Sequence, residues 1–152
     1  MVNMKIYVFK ITNKADAKNY KIIEVPENMS LYNFANKIVK SFHFDFDHSF
    51  GFSSNLINFY KPAKKLFELF TDLDDVEHTP GAKGVKKYFI SDAFDNQGDK
   101  MLFLFDYGDN WEFIIECIVN SQQVVNASGN YFKLIEFHGD DPEQYPDYDE
   151  ED

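Results

Sequence analysis

MLFLFDYGDNWEFIIECIV, Met101 to Val119, consists of two apolar runs around five turn-forming residues, and its reading decides the fold. Met101 to Phe105 is apolar throughout. In Trp111 to Val119, strand alternation puts Trp111, Phe113, Ile115, Cys117 and Val119 on one face and Glu112, Ile114, Glu116 and Ile118 on the other. Runs this apolar predict central strands rather than strands with one wet face. Asp106, Tyr107, Gly108, Asp109 and Asn110 join them with glycine and Asx chemistry, which predicts a tight connection with Gly108 at positive φ.

Upstream, Met4 to Ile11 and Tyr20 to Val25 read as a hairpin with a longer polar loop, ended by Pro26. Ser30 then stands as an N-cap before Leu31, Phe34, Ala35, Ile38, Val39 and Phe42, whose spacing predicts an amphipathic helix. Such an opening is β-grasp-like. A second hairpin is predicted from His48–Phe52 and Leu56–Tyr60, a short helix over Lys64–Thr71, and a helical turn capped by Ser91 or Asp92. Downstream, Val124, Val125 and Tyr131–Phe137 predict one or two last strands around a turn at Asn126–Asn130. The fold class expected is α+β, with a mixed or mostly antiparallel sheet and a central C-terminal hairpin.

The chain has 152 residues, 17 of them Phe and nine Tyr, which suits one domain with a sizeable core. The expected division is a domain over residues 1–146 and an acidic tail over residues 147–152. No apolar run reaches the length of a membrane span, and Met1 to Ile11 interleaves lysine with apolar residues, unlike a signal peptide; a cytoplasmic location is expected. Cys117 is the sole cysteine, which excludes an internal disulfide and a multi-thiolate metal cage. The net charge is −11, with eight acids between Asp140 and Asp152, and every basic residue is lysine. Without arginine to grip phosphate and guanine edges, and with phosphate repelled, no DNA binding is expected.

The run Phe105, Asp106, Tyr107, Gly108, Asp109, Asn110, Trp111 resembles the signature of the plasmid pRiA ORF-3-like family. Three further features agree in order: the opening hairpin and helix, the segment DFDHSFGF from Asp45 to Phe52, and GDDPEQYP from Gly139 to Pro146. The likeness covers nearly the whole chain. Phe113 stands where many members carry histidine, and GDDPEQYP lacks the cysteine that many members carry, so neither side chain is available here. Some members bear a resolvase-like name as insertion-element passengers. Recombinase chemistry needs arginines at the scissile phosphate, so that activity does not carry over.

Asp106, Asp109 and Glu112, with Asp45, Asp47 and His48, form the candidate site. Tyr107, Gly108 and Trp111 complete the candidate loop. A structural turn is the first reading of this loop, because Asp at a turn bonds its own backbone; ligand recognition and a hard-cation site are the alternatives. Trp111 reads as core, His48 and His138 as satisfied histidines, Cys117 as a small buried hydrophobe, and the Lys83, Lys86, Lys87 cluster as a solvated loop. No metal or cofactor is assigned. The function expected is a non-enzymatic binding or accessory module whose partner is another protein. A metal-dependent or acid-base enzyme built on the Asp45–His48 and Asp106–Glu112 segments is the first alternative, and a mobile-element accessory protein the second.

Overall fold

The structure, a computed structural model, describes residues 2–125 and 131–146. The Asn126–Asn130 turn and the tail of residues 147–152 lie outside the described residues. Among the described residues, seven strands and two helices follow the order β1 (Val2–Asn13), β2 (Tyr20–Pro26), α1 (Leu31–Ser41), β3 (Phe50–Ser53), β4 (Leu66–Glu68), α2 (Ile90–Ala93), β5 (Lys100–Phe105), β6 (Trp111–Val125) and β7 (Lys133–His138). The strands make one sheet in the order β4-β3-β5-β6-β1-β2-β7, and each neighbouring pair is antiparallel. This is a sheet-rich α+β fold. No helix among the described residues is long and apolar enough to cross a membrane.

The β5–β6 hairpin forms as the two apolar runs predict, with Phe105 opposite Trp111 and Met101 opposite Ile115. Its inner face, with Phe103, Phe113, Ile115 and Cys117, joins the opening hairpin's Tyr7, Phe9 and Ile11 beneath α1, whose Phe34, Ile38 and Val39 are fully buried. Ser30 caps that helix, its hydroxyl accepting from Asn33 N–H at 3.1 Å. On the opposite face, Leu102 and Leu104 pack beneath Phe59 in a smaller cluster. Two-sided burial of β5 is what an apolar run without alternation requires.

Four local expectations are corrected. Leu56–Tyr60 is not a strand, because Asn55 Oδ1 accepts from the N–H groups of Ile57 and Asn58 and bends the chain. The hairpin partner of β3 is β4, so Lys64–Thr71 is a short strand running into a 3₁₀ turn at Leu69–Asp72 rather than a helix. Non-local pairing overrides the helical spacing of Leu66, Phe67, Leu69 and Phe70 there. The cap of α2 is Phe89, and Asp92 sits inside the helix, accepting Phe89 N–H at 2.8 Å. Val124 and Val125 continue β6 instead of starting a new strand. Gly51 explains how the Leu56–Tyr60 segment lies so close to β3: a Cβ there would stand 2.7 Å from Phe59 Cζ and 2.8 Å from Phe67 O.

Candidate functional site

The loop between β5 and β6 is built on Asp106. Its carboxylate, nearly closed off from water, accepts the N–H groups of Gly108 at 3.0 Å and Asp109 at 3.2 Å. Its backbone oxygen accepts Asn110 N–H at 2.6 Å. The positive φ angles belong to Asp106 (71°) and Asn110 (55°), correcting the expectation for Gly108. Asx residues tolerate that region because their short polar side chains bond locally.

The Asp45–His48 segment lies against this loop. His48 Nε2 is 3.3 Å from Asp106 Oδ2 and 2.7 Å from the Tyr145 hydroxyl, which donates to Asp47 Oδ2 at 2.7 Å. The bond to Asp47 is the main reason the Tyr145 hydroxyl is pushed up to about 12, with burial and nearby carboxylates adding to it. Gln144 closes the cluster: its oxygen accepts Asp45 N–H at 2.7 Å, and its amide donates to Asp45 O and to Asp47 Oδ1, both at 3.1 Å. Sequence periodicity gives no signal for Gln144 and Tyr145 as site residues; the GDDPEQYP motif marks the segment and nothing more.

Beside this cluster opens a cleft of about 590 Å³, walled by Asn13 and Lys14 of the first hairpin, Asn110, Trp111 and Glu112 of the loop, and Tyr145. Trp111 is half-buried, packed against the main core from the cleft side. Its ring meets Phe44 edge-on at 4.9 Å, and its indole N–H has no acceptor among the described residues. Glu112 faces Lys14, whose ammonium is 3.8 Å away and donates to Ile57 O at 3.1 Å. Asp109 is exposed at the cleft edge. Tyr107 turns to the other side of the loop, where its hydroxyl donates to buried Glu68; burial first, and then that bond, push its pKa up.

The candidate carboxylates therefore diverge, Asp106 into its own turn and Glu112 toward Lys14. Among the described residues no group of three or more His, Cys, Asp or Glu side chains is placed to hold a metal ion. Cys117 is buried mid-strand, and burial is the main cause pushing its thiol up to about 11. His138 bonds Glu136 at 2.8 Å. Lys83 and Lys86 lie over the rings of Tyr88 and Tyr32.

Among curated proteins, none matches this chain significantly. The crystal structure of a protein of unknown function from Methanosarcina mazei Go1 superposes with a TM-score of 0.69 at 19% identity, covering 90% of this chain and 71% of that one. At that identity the likeness extends to the fold. The sequence profile described as plasmid pRiA4b ORF-3-like protein matches residues 5–144, a span holding the Asp106–Trp111 loop, the Asp45–His48 segment and the Gly139–Gln144 part of the terminal motif, and the chain belongs to that family.

Proposed function

We propose that this chain is a binding module whose partner is a segment of another protein, seated in the cleft beside Trp111. The observation that carries this reading is the division of labour between cluster and cleft. His48, Asp47 and Asp106 bond to one another or to Tyr145 and Gln144, so their polarity holds segments 45–48 and 144–146 in place. The cleft is walled by a half-buried indole whose N–H lacks an acceptor and is shut off from solvent, so a backbone carbonyl of an extended peptide would pair with it only as the ring turns on binding. Its volume falls within the range of about 300–1,000 Å³ usual for ligand sites. A net charge of −11 with lysine as the sole strong cation favours a protein partner over duplex DNA.

Peptide display against the whole chain tests the reading, with Trp111→Phe as the comparison because it keeps the ring against Phe44 and removes the N–H. Selected peptides are expected to bind the parent and to lose several-fold in affinity on Trp111→Phe. Peptides indifferent to that change, or no enrichment at all, would sink the proposal.

The contact of His48 with both Asp106 and Tyr145 favours a second reading, an acid-base enzyme. His48→Gln separates the two. Peptide binding that survives supports the module, whereas turnover of a bound molecule that His48→Gln abolishes supports the enzyme.

A further inference from the structure

On the far side of the Asp106–Trp111 loop lies a second cleft of about 350 Å³, walled by Phe59, Tyr60, Lys61, Leu66 and Glu68 and closed by the segment around Pro80. It shares no lining residue with the first. Glu68 is 4% exposed. Its Oε2 accepts the Tyr107 hydroxyl, while Oε1 is buried with no donor among the described residues. A buried carboxyl oxygen without a donor is rare in folded proteins and calls for an occupant.

The neighbouring lysines do not supply one. Lys83 lies over the Tyr88 ring at 5.3 Å, Lys65 pairs with Asp95 at 2.8 Å, and Lys61 stands exposed at the rim without an ion pair among the described residues. The rings beside Glu68 form a box rather than a stack. Phe59 meets Tyr60 at 5.8 Å and 79°, and Tyr107 at 5.9 Å and 81°. Tyr60 is held in place by its hydroxyl, which donates to Asn110 Oδ1 at 2.9 Å. Aromatic walls attract cations through the negative faces of the rings, and a carboxylate adds both charge and an acceptor.

We propose that this second cleft binds a primary ammonium group, with the Glu68 carboxyl turning on binding so that Oε1, shut off from solvent before it, accepts one of the N–H bonds, and with Phe59 and Tyr60 walling the alkyl stem. The unmet acceptor selects a primary ammonium over a quaternary one, which has no N–H to give. A lysine side chain of a polypeptide and a free alkylamine share this chemistry.

The test is an amide-detected NMR titration of the full chain with n-butylammonium, n-butanol and tetramethylammonium. n-Butylammonium is expected to give saturable shifts at residues 59–63 and 79–81, with n-butanol and tetramethylammonium at least tenfold weaker. Glu68→Gln should weaken n-butylammonium at least tenfold, whereas Tyr107→Phe should retain it. Should Glu68→Gln not fold, the comparison of n-butylammonium with n-butanol on the parent decides alone. Nα-acetyl-lysine methylamide, set against its Nε-acetylated form, separates the two sources: saturable binding of the free-amine form points to a lysine side chain, and binding of n-butylammonium alone to a small amine. No saturable shift in the parent, equal binding of n-butanol, or n-butylammonium binding only after Lys61→Ala would overturn the proposal, the last by showing that this chain's own lysine fills the site.

Discussion

Lys21 Nζ lies 2.7 Å from Asp141 Oδ1, joining the second strand to a segment 120 residues further along the chain. Lys21 is 2% exposed, with its ammonium 5.0 Å from the Phe42 ring centre. Asp141 also meets His43 Nδ1 at 2.6 Å and accepts from Asn19 Nδ2 at 3.0 Å. The Gly-Asp-Asp-Pro part of the terminal motif is therefore a clasp, and it sets the path along which Gln144 and Tyr145 reach the Asp45–His48 segment.

Removing one side of this pair leaves a poorly solvated charge. Lys21→Met and Asp141→Asn are each expected to destabilise the fold by about 2–4 kcal/mol, and the double variant by clearly less than their sum. Urea unfolding of the four proteins measures the coupling; simple additivity would show that the pair contributes nothing as a pair.

The same clasp sets an acid limit. Burial pushes the Asp141 carboxyl up, but the bonds from Lys21, Asn19 and His43 outweigh it and hold the group below its ordinary value of 3.8. The unfolded chain thus takes up this proton before the folded one does. Stability from Asp141 is complete above that ordinary value and is lost as pH falls from there through the lower folded value. Between neutral pH and pH 3, the parent is expected to lose more stability than Asp141→Asn; parallel pH profiles would contradict this.

Two glycines in family motifs are expected to behave differently. Gly139 has φ 77°, and a Cβ there would stand 2.5 Å from Lys18 O, so Gly139→Ala should cost about 3 kcal/mol. A Cβ on Gly108 would meet nothing closer than Asp106 Oδ1 at 3.4 Å, and φ there is not positive, so Gly108→Ala should cost less than about 1 kcal/mol. Thermal unfolding of both variants ranks them.

Within the loop, the demanding position is Asp106. Asp106→Ala removes the acceptor of two backbone N–H groups and places alanine at φ 71°, for an expected cost of about 2 kcal/mol. Asp106→Asn keeps a carbonyl and tolerance of that φ and should cost about half as much. Asp109→Asn should be near-neutral. Calorimetric titration with Mg²⁺, Ca²⁺, Mn²⁺ and Zn²⁺ is expected to give no heat attributable to this loop; binding in the parent that vanishes in Asp109→Asn would restore the cation reading.

Cys117 is expected to resist thiol reagents in the native state near neutral pH and to react once the chain is unfolded, because burial keeps the thiol protonated and out of reach. Rapid labelling of the native protein would place it on an opened edge of the sheet.

The parts of this fold legible in the sequence are those whose contacts are local or whose pattern is unbroken. Ser30 and the Leu31–Phe42 stripe announce α1, and the two apolar runs around Asp106–Asn110 announce the β5–β6 hairpin. Leu66–Glu68 was not legible as a strand, since three residues carry almost no period and their pairing with Gly51–Ser53 is fixed only by the fold. Leu56–Tyr60 looked like a strand by composition, although Asn55 and Asn58 carried the turn signal. Half of the candidate site was legible as well. Asp106 bonds its own turn as expected, and His48 and Asp47 do gather beside it. Gln144, Lys14 and Glu68 carry no such signal, because a side chain committed across the fold to a distant partner leaves no mark on local periodicity.

The pairing of β1 with β6 also fixes the order in which the chain can finish folding. Val2 lies opposite Val125 and Asn13 opposite Phe113, so β1 needs a strand made much later than itself. At roughly 5–20 residues per second, the hairpin of β1 and β2 waits about 5–20 s on the ribosome with one edge of β1 unpaired. Contacts of such long sequence separation slow folding even after release. A chain this rich in aromatic β-strand residues thus passes through a stage in which an open strand edge stands next to unburied rings until β6 arrives.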